Sequence, residues 1–338
     1  MEIQQAKIAV LILNWNGRAL LERFLPSIVE FNADNAEVYV IDNASTDDSV
    51  DYITKHFPSV KSIVFKENYG YAKGYNKALE LIPHEYALLL NSDVRVSENW
   101  IEPLYGFLET HSDYVACQAK ILDEKKETHF EYAGACGGYI DRFGYPFCRG
   151  RIFDSLEEDK GQYDSIKDVF WASGAALFIR RKEYIETGGL DVSFFAHQEE
   201  IDLCWRLLNR GYKIACIPES KVYHLGGASL DSAHPRKTFL NFRNNLVMLL
   251  KNLPLYALPL IFFRLLLDGI AGLKYLSEGK FKHCWAIVKA HFSFYSRIPG
   301  VLFKRKKTLK IDKSIKYRGS ILVDYYLKGG NKFENFKF

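Results

Sequence analysis

Apolar runs of strand length recur along the first part of the chain, and each stops at hydrogen-bonding side chains. Residues 8–13 are followed by Asn14, Trp15 and Asn16, and residues 38–41 by Asp42 and Asn43. Residues 63–65 lead through Lys66 and Glu67 to Asn68, and residues 86–90 end at Asn91, Ser92 and Asp93. Continuous apolar runs of this length read as strands buried on both faces of a parallel sheet, with a buried helix segment as the competing reading. Ligands of open α/β sheets gather beyond the carboxyl ends of the strands, so Asn and Asp repeated at the first loop positions point to one shared site along a sheet edge. Taken singly, each is equally a turn former.

The intervening segments have helical spacing. Residues 19–31 place Leu20, Leu21, Phe24, Leu25 and Ile28 on one face, with Pro26 expected to kink or end the helix. Ser45, Thr46 and Ser49 can cap a second helix reaching His56, with Asp47 and Asp48 favoured in its first turn. A third helix is expected over 71–81. Strand and helix alternate as βαβαβαβ, which right-handed crossovers build into a doubly wound, mostly parallel α/β sheet.

Downstream, residues 99–110 read as a helix with Trp100, Ile101, Leu104 and Leu108 on one face. The Gly- and aromatic-rich stretch 131–146 suits loops over a site or an ordinary connection. Residues 170–179 read as a strand in which small residues beside Trp171, notably Ser173 and Gly174, allow close approach to a ligand. A helix then opens on the acids Glu199, Glu200 and Asp202, which a helix N-terminus favours, and Asp202 is spaced to pair with Arg206. Residues 212–218 form a further strand expectation, followed by His224, Gly226 and Gly227.

The C-terminal part is strongly apolar over 246–253 and 255–273. Arg264 and Asp268 near the middle of the second run disfavour a simple spanning helix, and Pro254 and Pro259 interrupt it. An amphipathic helix or hairpin lying in a membrane interface is the expectation. Trp285, Phe292, Phe294 and Tyr295 precede the basic cluster Lys304, Arg305, Lys306 and Lys307 with Lys310, which combines aromatic anchors with attraction to anionic lipid. The competing reading is a helical cap with a solvated basic tail.

A chain of 338 residues with 48% hydrophobic content can bury a large core. The expected division is a catalytic domain over 1–240 and a helical extension with a basic tail over 241–338. A net charge of +4 is too small for a general nucleic-acid binder. The six cysteines lack C-x-x-C pairing, which suits reduced thiols in the cytosol. Residues 1–7 lack the basic and longer apolar regions of a signal peptide, so the expected location is cytoplasmic, peripheral on the inner face of the plasma membrane.

A nucleotide is the natural ligand of such a sheet, yet the first loop reads Asn14-Trp15-Asn16-Gly17-Arg18 instead of G-x-G-x-x-G. No G-x-x-x-x-G-K-[ST] loop is present either. A carboxylate-held metal ion is the physical substitute for those backbone phosphate cradles.

Leu13-Asn14-Trp15-Asn16-Gly17, the run from Val40 to Asp47, Asn68-Tyr69-Gly70 with Asn76, and Asn91-Ser92-Asp93 together resemble the nucleotide-sugar half of a family 2 glycosyltransferase with the A-type fold. The resemblance spans roughly residues 6–250. It implies a donor site made of Asn14, Trp15, Asn16, Asp42, Asn43, Asn68, Gly70, Asn76, Asn91, Ser92 and Asp93, with Asp42 and its neighbour on the base. Asp93 would be the second, metal-bound acid of the D-x-D signature. Asn91 replaces the first acid, which leaves a Mn or Mg ion fewer charged ligands. The resemblance further implies that His224 joins Asp93 on the metal, that Glu200 is the catalytic base with Glu199 as runner-up, and that Trp171, Ser173 and Gly174 lie on the acceptor side.

The implied activity is inverting, metal-dependent transfer of a hexosyl or deoxyhexosyl group from a nucleoside-diphosphate sugar. The nearest resemblance is to rhamnosyl and related transferases of bacterial polysaccharide assembly, whose acceptors are lipid-linked saccharides or growing glycans. The rival from another class is a non-catalytic nucleotide-sugar-binding scaffold at the membrane, which Asn91 keeps open. A nucleotidyltransferase is disfavoured by the missing Gly-rich basic loop.

Overall fold

The computed structural model of the chain describes residues 6–226, 234–306 and 313–338. Its first half alternates strands β1 (Ile8–Asn14), β2 (Ala36–Asp42), β3 (Lys61–Val64) and β4 (Tyr86–Asn91) with helices α1 (Arg18–Glu30), α2 (Ser49–His56) and α3 (Gly70–Leu81). Side chains of a strand alternate between faces, and β1 divides its residues accordingly. Ala9 and Leu11 join the core beneath Ala72, Tyr75 and Ala78 of α3, and Ile8, Val10 and Ile12 join the one beneath Leu21, Leu25 and Ile28 of α1. Burial on both faces is why the run is continuously apolar. Helix α1 runs through Pro26 instead of ending there. Asp47 serves the start of α2 in place of the expected Ser and Thr caps, accepting hydrogen bonds from the backbone N–H of Ser49 and of Arg18, both at 3.1 Å.

Next come β5 (Val94–Val96), α4 (Glu102–Thr110), β6 (Tyr114–Asp123) and β7 (Lys126–Phe130). The Gly- and aromatic-rich stretch builds a second, 4-stranded sheet from β8 (Gly138–Ile140), β9 (Pro146–Cys148), β10 (Arg151–Ile152) and β11 (Ser155–Leu156). The chain then returns through β12 (Lys167–Asp168), β13 (Ala176–Arg180), α5 (Arg181–Thr187), α6 (Glu199–Leu208) and β14 (Lys213–His224). The main sheet is 10-stranded, in the order β12-β14-β6-β13-β4-β1-β2-β3 with β5 on β14 and β7 on β6. It is mostly parallel through its first strands, while β13 runs antiparallel to both β4 and β6. The strand expected from residue 170 begins only at Ala176, because the preceding residues leave the ladder.

Three long helices follow: α7 (Pro235–Asn252), α8 (Pro259–Ser277) and α9 (Phe281–Lys304), with the short α10 (Ile321–Tyr326) after them. Residue 240 lies inside α7, so the division expected there falls within one helix. The expected basic tail is folded, in that residues 313–338 return to the small sheet. Tyr317 N–H donates to Ile140 O at 2.9 Å, Ile321 N–H donates to Asp141 Oδ2 at 3.0 Å, and Phe336 and Phe338 pack on Phe147 and Tyr317. Lys307 and Lys310 lie outside the described residues, as does Gly227.

Helix α8 is inside out. Ile261, Arg264, Asp268 and Gly272 are buried against the protein, whereas Phe262, Phe263, Leu266, Ile270 and Leu273 are exposed. Arg264 Nε donates to Asp268 Oδ1 at 2.8 Å, and the guanidinium also donates to Asn245 Oδ1 on α7. The segment Leu255–Ser277 is long and apolar enough to cross a membrane, by length and composition. All six cysteines are free thiols.

Candidate active site

Register brings the strand-end residues together. Asn14 pairs with Asp42 across β1 and β2, and Leu13 pairs with Asn91 across β1 and β4, so these side chains emerge at one level of the sheet edge. They first organise their own loops. Asn14 donates to Asp42 Oδ1 at 3.2 Å, and Asp42 Oδ2 accepts from Ser45 N–H at 3.0 Å. Asn16 Oδ1 accepts from Thr46 N–H at 2.7 Å. Asn43 donates to Asn68 Oδ1 and accepts from Tyr69 N–H, each at 2.8 Å, and Asn68 Oδ1 also takes the N–H of Gly70 at 2.8 Å. Over this polar lattice Trp15 stands 58% exposed, an aromatic surface free to stack on a ligand ring. Ser92 is half-buried in the turn between β4 and β5.

Asn76 does not join this edge. Its amide donates to Leu190 O at 2.8 Å and accepts from Leu190 N–H at 2.9 Å and Tyr184 Oη–H at 2.6 Å. Both ends of the amide are thereby engaged by the turn after α5, which Asn76 clamps.

Asp93 and His224 do meet. Strand β5 runs antiparallel to the end of β14 and sets His224 opposite Val94. His224 Nε2 lies 3.1 Å from Asp93 Oδ1 and 3.3 Å from the amide nitrogen of Asn91. On its other side Nδ1 lies 3.3 Å from Glu131 Oε1. Burial opposes charge on this imidazole, but the two carboxylates prevail and push it up to about 10. An imidazole with one nitrogen turned to a carboxylate and the other to a second acid is the arrangement that orients a metal-binding histidine. Asp93 and Nε2 fit a divalent cation as a two-residue site once the cation displaces the imidazole proton that the two carboxylates otherwise favour. Among the described residues no group of three or more His, Cys, Asp or Glu side chains forms a cage for a metal ion.

The acidic pair opens α6 after a strained approach. Phe195, His197 and Gln198 all have positive φ, at 69°, 69° and 71°, a conformation costly for residues with a Cβ and found where surrounding structure enforces it. Helix α7 does so. Asn244 Nδ2 donates to the carbonyls of Phe194, Ala196 and His197 at 3.1, 2.8 and 2.8 Å. Gln198 is tied to Asn241 O and to the Asn245 amide, both at 3.2 Å. The two glutamates then diverge. Glu199 is only 5% exposed and its Oε2 is buried without a hydrogen-bond partner; burial and then the charge of Glu200 push its carboxyl far up. Glu200 is half-buried, and burial pushes it up to about 7.

Beside Glu200 lies Gly174. A Cβ there would come within 2.6 Å of the Tyr71 hydroxyl and 3.9 Å of Glu200 Cβ, so only glycine admits this approach. Tyr71 donates to Gly174 O at 3.1 Å. The other expected acceptor-side residues are buried supports. Trp171 packs on Gly138, where a Cβ would strike its ring at 2.0 Å, and its indole donates to Tyr139 O at 3.0 Å. Ser173 N–H donates to Gln118 Oε1 at 2.8 Å and its hydroxyl to Ala133 O.

Sequence reading missed Glu131, Tyr71 and Asn244. The signal for Asn244 was present as the polar run Asn241, Arg243, Asn244 and Asn245 entering an apolar helix. Glu131 carries no local mark, since its meaning lies in a histidine 93 positions further along (224 − 131).

The protein-family model for glycosyl transferase family 2 matches residues 9–180, just over half of the chain. Among curated proteins, the N-acetylglucosaminyl-diphospho-decaprenol L-rhamnosyltransferase of Mycobacterium tuberculosis is 22% identical over 254 residues, covering 69% of this chain and 83% of the relative. Rhamnosyltransferase WbbL of Escherichia coli is 22% identical over 163 residues, covering 46% of this chain and 61% of the relative. Among solved structures, GalNAc-T7 with UDP, GalNAc and Mn2+ aligns with a TM-score of 0.56 at 17% identity, over 73% of this chain and 48% of that one. Mannosyltransferase PcManGT of Pyrobaculum calidifontis, in complex with GDP-Man and Mn2+, aligns with a TM-score of 0.51 at 15% identity over 88% of both chains. These two share the fold of the sheet that carries Asp42, Asn91 and Asp93. The family match runs through the same strands and their terminal polar residues, and the chain belongs to glycosyl transferase family 2 and is a glycosyltransferase.

Proposed function

We propose that the protein inverts the anomeric centre of a nucleoside-diphosphate sugar as it transfers that sugar to a hydroxyl of a lipid-linked saccharide. The observation that carries this reading is a two-residue cation site at Asp93 and His224 together with a half-buried carboxyl at Glu200, raised to about 7 and set beside Gly174. A base is most useful when its affinity for protons lies near the working pH, and Glu200 meets that condition.

The strand-end lattice of Asn14, Asn16, Asp42, Asn43 and Asn68 is the proposed nucleoside face, with Trp15 available to stack. Asn91, Ser92 and Asp93 then face the diphosphate. A Mn or Mg ion bound by Asp93 and His224 together with that diphosphate would stabilise the charge of the leaving group. Glu131 orients His224. Glu200 accepts the proton of the acceptor hydroxyl, and attack opposite the departing diphosphate inverts the sugar. Gly174 lets the Tyr71 hydroxyl approach beside that carboxylate, and Tyr71 fixes the Gly174 carbonyl. Relatives named for rhamnosyl transfer, one of them onto a diphospho-decaprenol carrier, support a lipid-linked acceptor.

Membrane attachment is part of the proposal. The exposed apolar face of α8 continues onto α9 in Phe281, Trp285, Phe292, Tyr295 and Phe303. Lys282, Lys289, Lys304 and Lys306 are exposed on or just after α9 and suit an anionic inner leaflet. Arg305 is not among the lipid-facing charges, because its guanidinium caps the end of α7 by donating to the carbonyls of Leu250 and Leu253.

A panel of nucleoside-diphosphate sugars, with purified protein, Mn or Mg and a lipid-linked saccharide, tests the reading through released nucleoside diphosphate. Acceptor-dependent release from one donor is expected. Binding of donors without release from any of them would overturn transfer in favour of a scaffold.

A further inference from the structure

Away from the sheet edge, a cavity of about 170 Å³ opens between α9 and the segment that leads into the glutamate pair. Asp191, Ser193, Lys251, Arg297 and Lys304 contribute to its wall. Its charges do not balance. Asp191 is already engaged, with Oδ2 2.7 Å from the Lys251 ammonium and Oδ1 accepting from Ser193 N–H at 3.0 Å. Lys251 is shared further with Asp202, at 2.8 Å. Among the described residues neither Arg297 nor Lys304 pairs with a carboxylate, and Arg243, next to the cavity, also meets only neutral acceptors. The guanidiniums of Arg243 and Arg297 converge on the single carbonyl of Ser193, at 3.4 and 3.5 Å. Two like charges have been brought to one neutral oxygen, and a third stands on the next turns of α9. Burial, and then the charge of Arg297, push Arg243 down to about 10. An anion in the cavity would relieve that repulsion.

The position of the cavity says what carries the anion. Arg297, Gly300, Val301 and Lys304 follow helical spacing along one face of α9. The adjoining surface of the same helix exposes Phe292, Tyr295, Leu302 and Phe303. The cavity therefore borders an apolar surface. On its other side Ser193 is continuous with the strained residues 195–198 that end at Glu199 and Glu200.

We infer that this cavity binds the phosphate of the lipid that carries the acceptor, through Arg297, Lys304 and Arg243. The inference rests on the reading that the acceptor is lipid-linked and adds the place where the carrier is held. A polyisoprenyl phosphate and a phospholipid headgroup offer the same chemistry, and the site is assigned to the former because its wall continues into the loop that sets Glu200.

Co-sedimentation of the full chain with vesicles distinguishes the sources. Vesicles of neutral phosphatidylcholine doped with polyisoprenyl phosphate are compared with vesicles brought to the same surface charge by phosphatidylglycerol. Preferential retention on the polyisoprenyl vesicles is expected. The double variant Arg297→Gln/Lys304→Gln should lose roughly 10-fold of that preference. Lys282→Gln/Lys289→Gln, which removes equal charge from α9 outside the cavity, should lower retention on both vesicles alike and keep the preference. With unaltered thermal unfolding, the first double variant should also show a raised KM for a lipid-linked acceptor at unchanged donor KM. Equal retention on both vesicles, or equal losses of preference in the two double variants, would overturn the carrier site in favour of headgroup or diffuse charge attraction. Retention by all vesicles unmoved by Arg297→Gln/Lys304→Gln would overturn the site alone, and retention by none would overturn both the site and the membrane reading.

Discussion

Asp93 and His224 stand 131 positions apart in the chain and 3.1 Å apart in space, because the β4–β5 turn and the last residues of β14 share one antiparallel pairing. Neither residue reaches the other without that register. Asp93→Asn or His224→Gln should therefore abolish metal-dependent release of nucleoside diphosphate while the unfolding transition persists. Glu131→Gln should weaken metal affinity by about 10- to 100-fold, as loss of an orienting partner does. Titration with Mn, read by electron paramagnetic resonance, checks both. Full activity in excess chelator would remove the metal from the proposal.

Removing the base should cost turnover without costing donor affinity. Glu200→Gln is expected to lose ~10²- to 10⁴-fold in kcat, and Glu199→Gln less. Because Glu200 must be ionised to accept a proton and is raised to about 7, kcat should climb as pH rises through that region and level off above it. A pH–rate profile at saturating donor reads this directly. A near-normal Glu200→Gln rate would move the role to Glu199.

Glu199 yields a stability prediction of known sign. A carboxyl raised by folding favours the folded state below its unfolded pKa, and that advantage is lost as pH rises toward the folded value. Above neutrality the buried Oε2, without a partner, is a liability. Glu199→Gln should then raise Tm at pH 8, by ~2 °C or more for each kcal/mol recovered, with the gain shrinking toward pH 4.5. Thermal scans across that range test it, and a uniform loss of Tm would show the charge to be supported after all.

Asn244→Ala removes the amide that holds three carbonyls of the strained loop. Each buried group left unsatisfied costs ~1–3 kcal/mol, so both Tm and kcat should fall. Donor KM should hold, because the proposed donor lattice lies on other loops. A fall in Tm with unchanged kcat would mean that the loop keeps its shape unaided.

The polar sheet edge was legible in advance because a strand end is a local event: an apolar run stops, a polar residue follows, and parallel register aligns the rest. The Asp202–Arg206 pair was equally local, and forms at 2.8 Å. The hydrogen bonds of Asn76 to Leu190 and of Trp171 to Tyr139 were not legible, because no spacing rule connects those residues. The facing of α8 was hidden for a different reason. Hydropathy reports that apolar residues are present, and two charges on such a helix look like an interruption until the buried acceptors Asn245 and Asp268 are seen.

That inward pair also makes the molecule hard to divide. From His291 on α9, 3.3 Å from Asp268, polar contacts run through Arg264 to Asn245 and on to Gln198, the residue before the glutamates. Cutting the chain at residue 240 would sever α7 and strip this run of contacts of every member but Gln198, leaving the glutamate loop to relax out of positive φ. The expected fragment is a nucleotide binder with an unarmed second half, in which attachment and reactivity have been lost together.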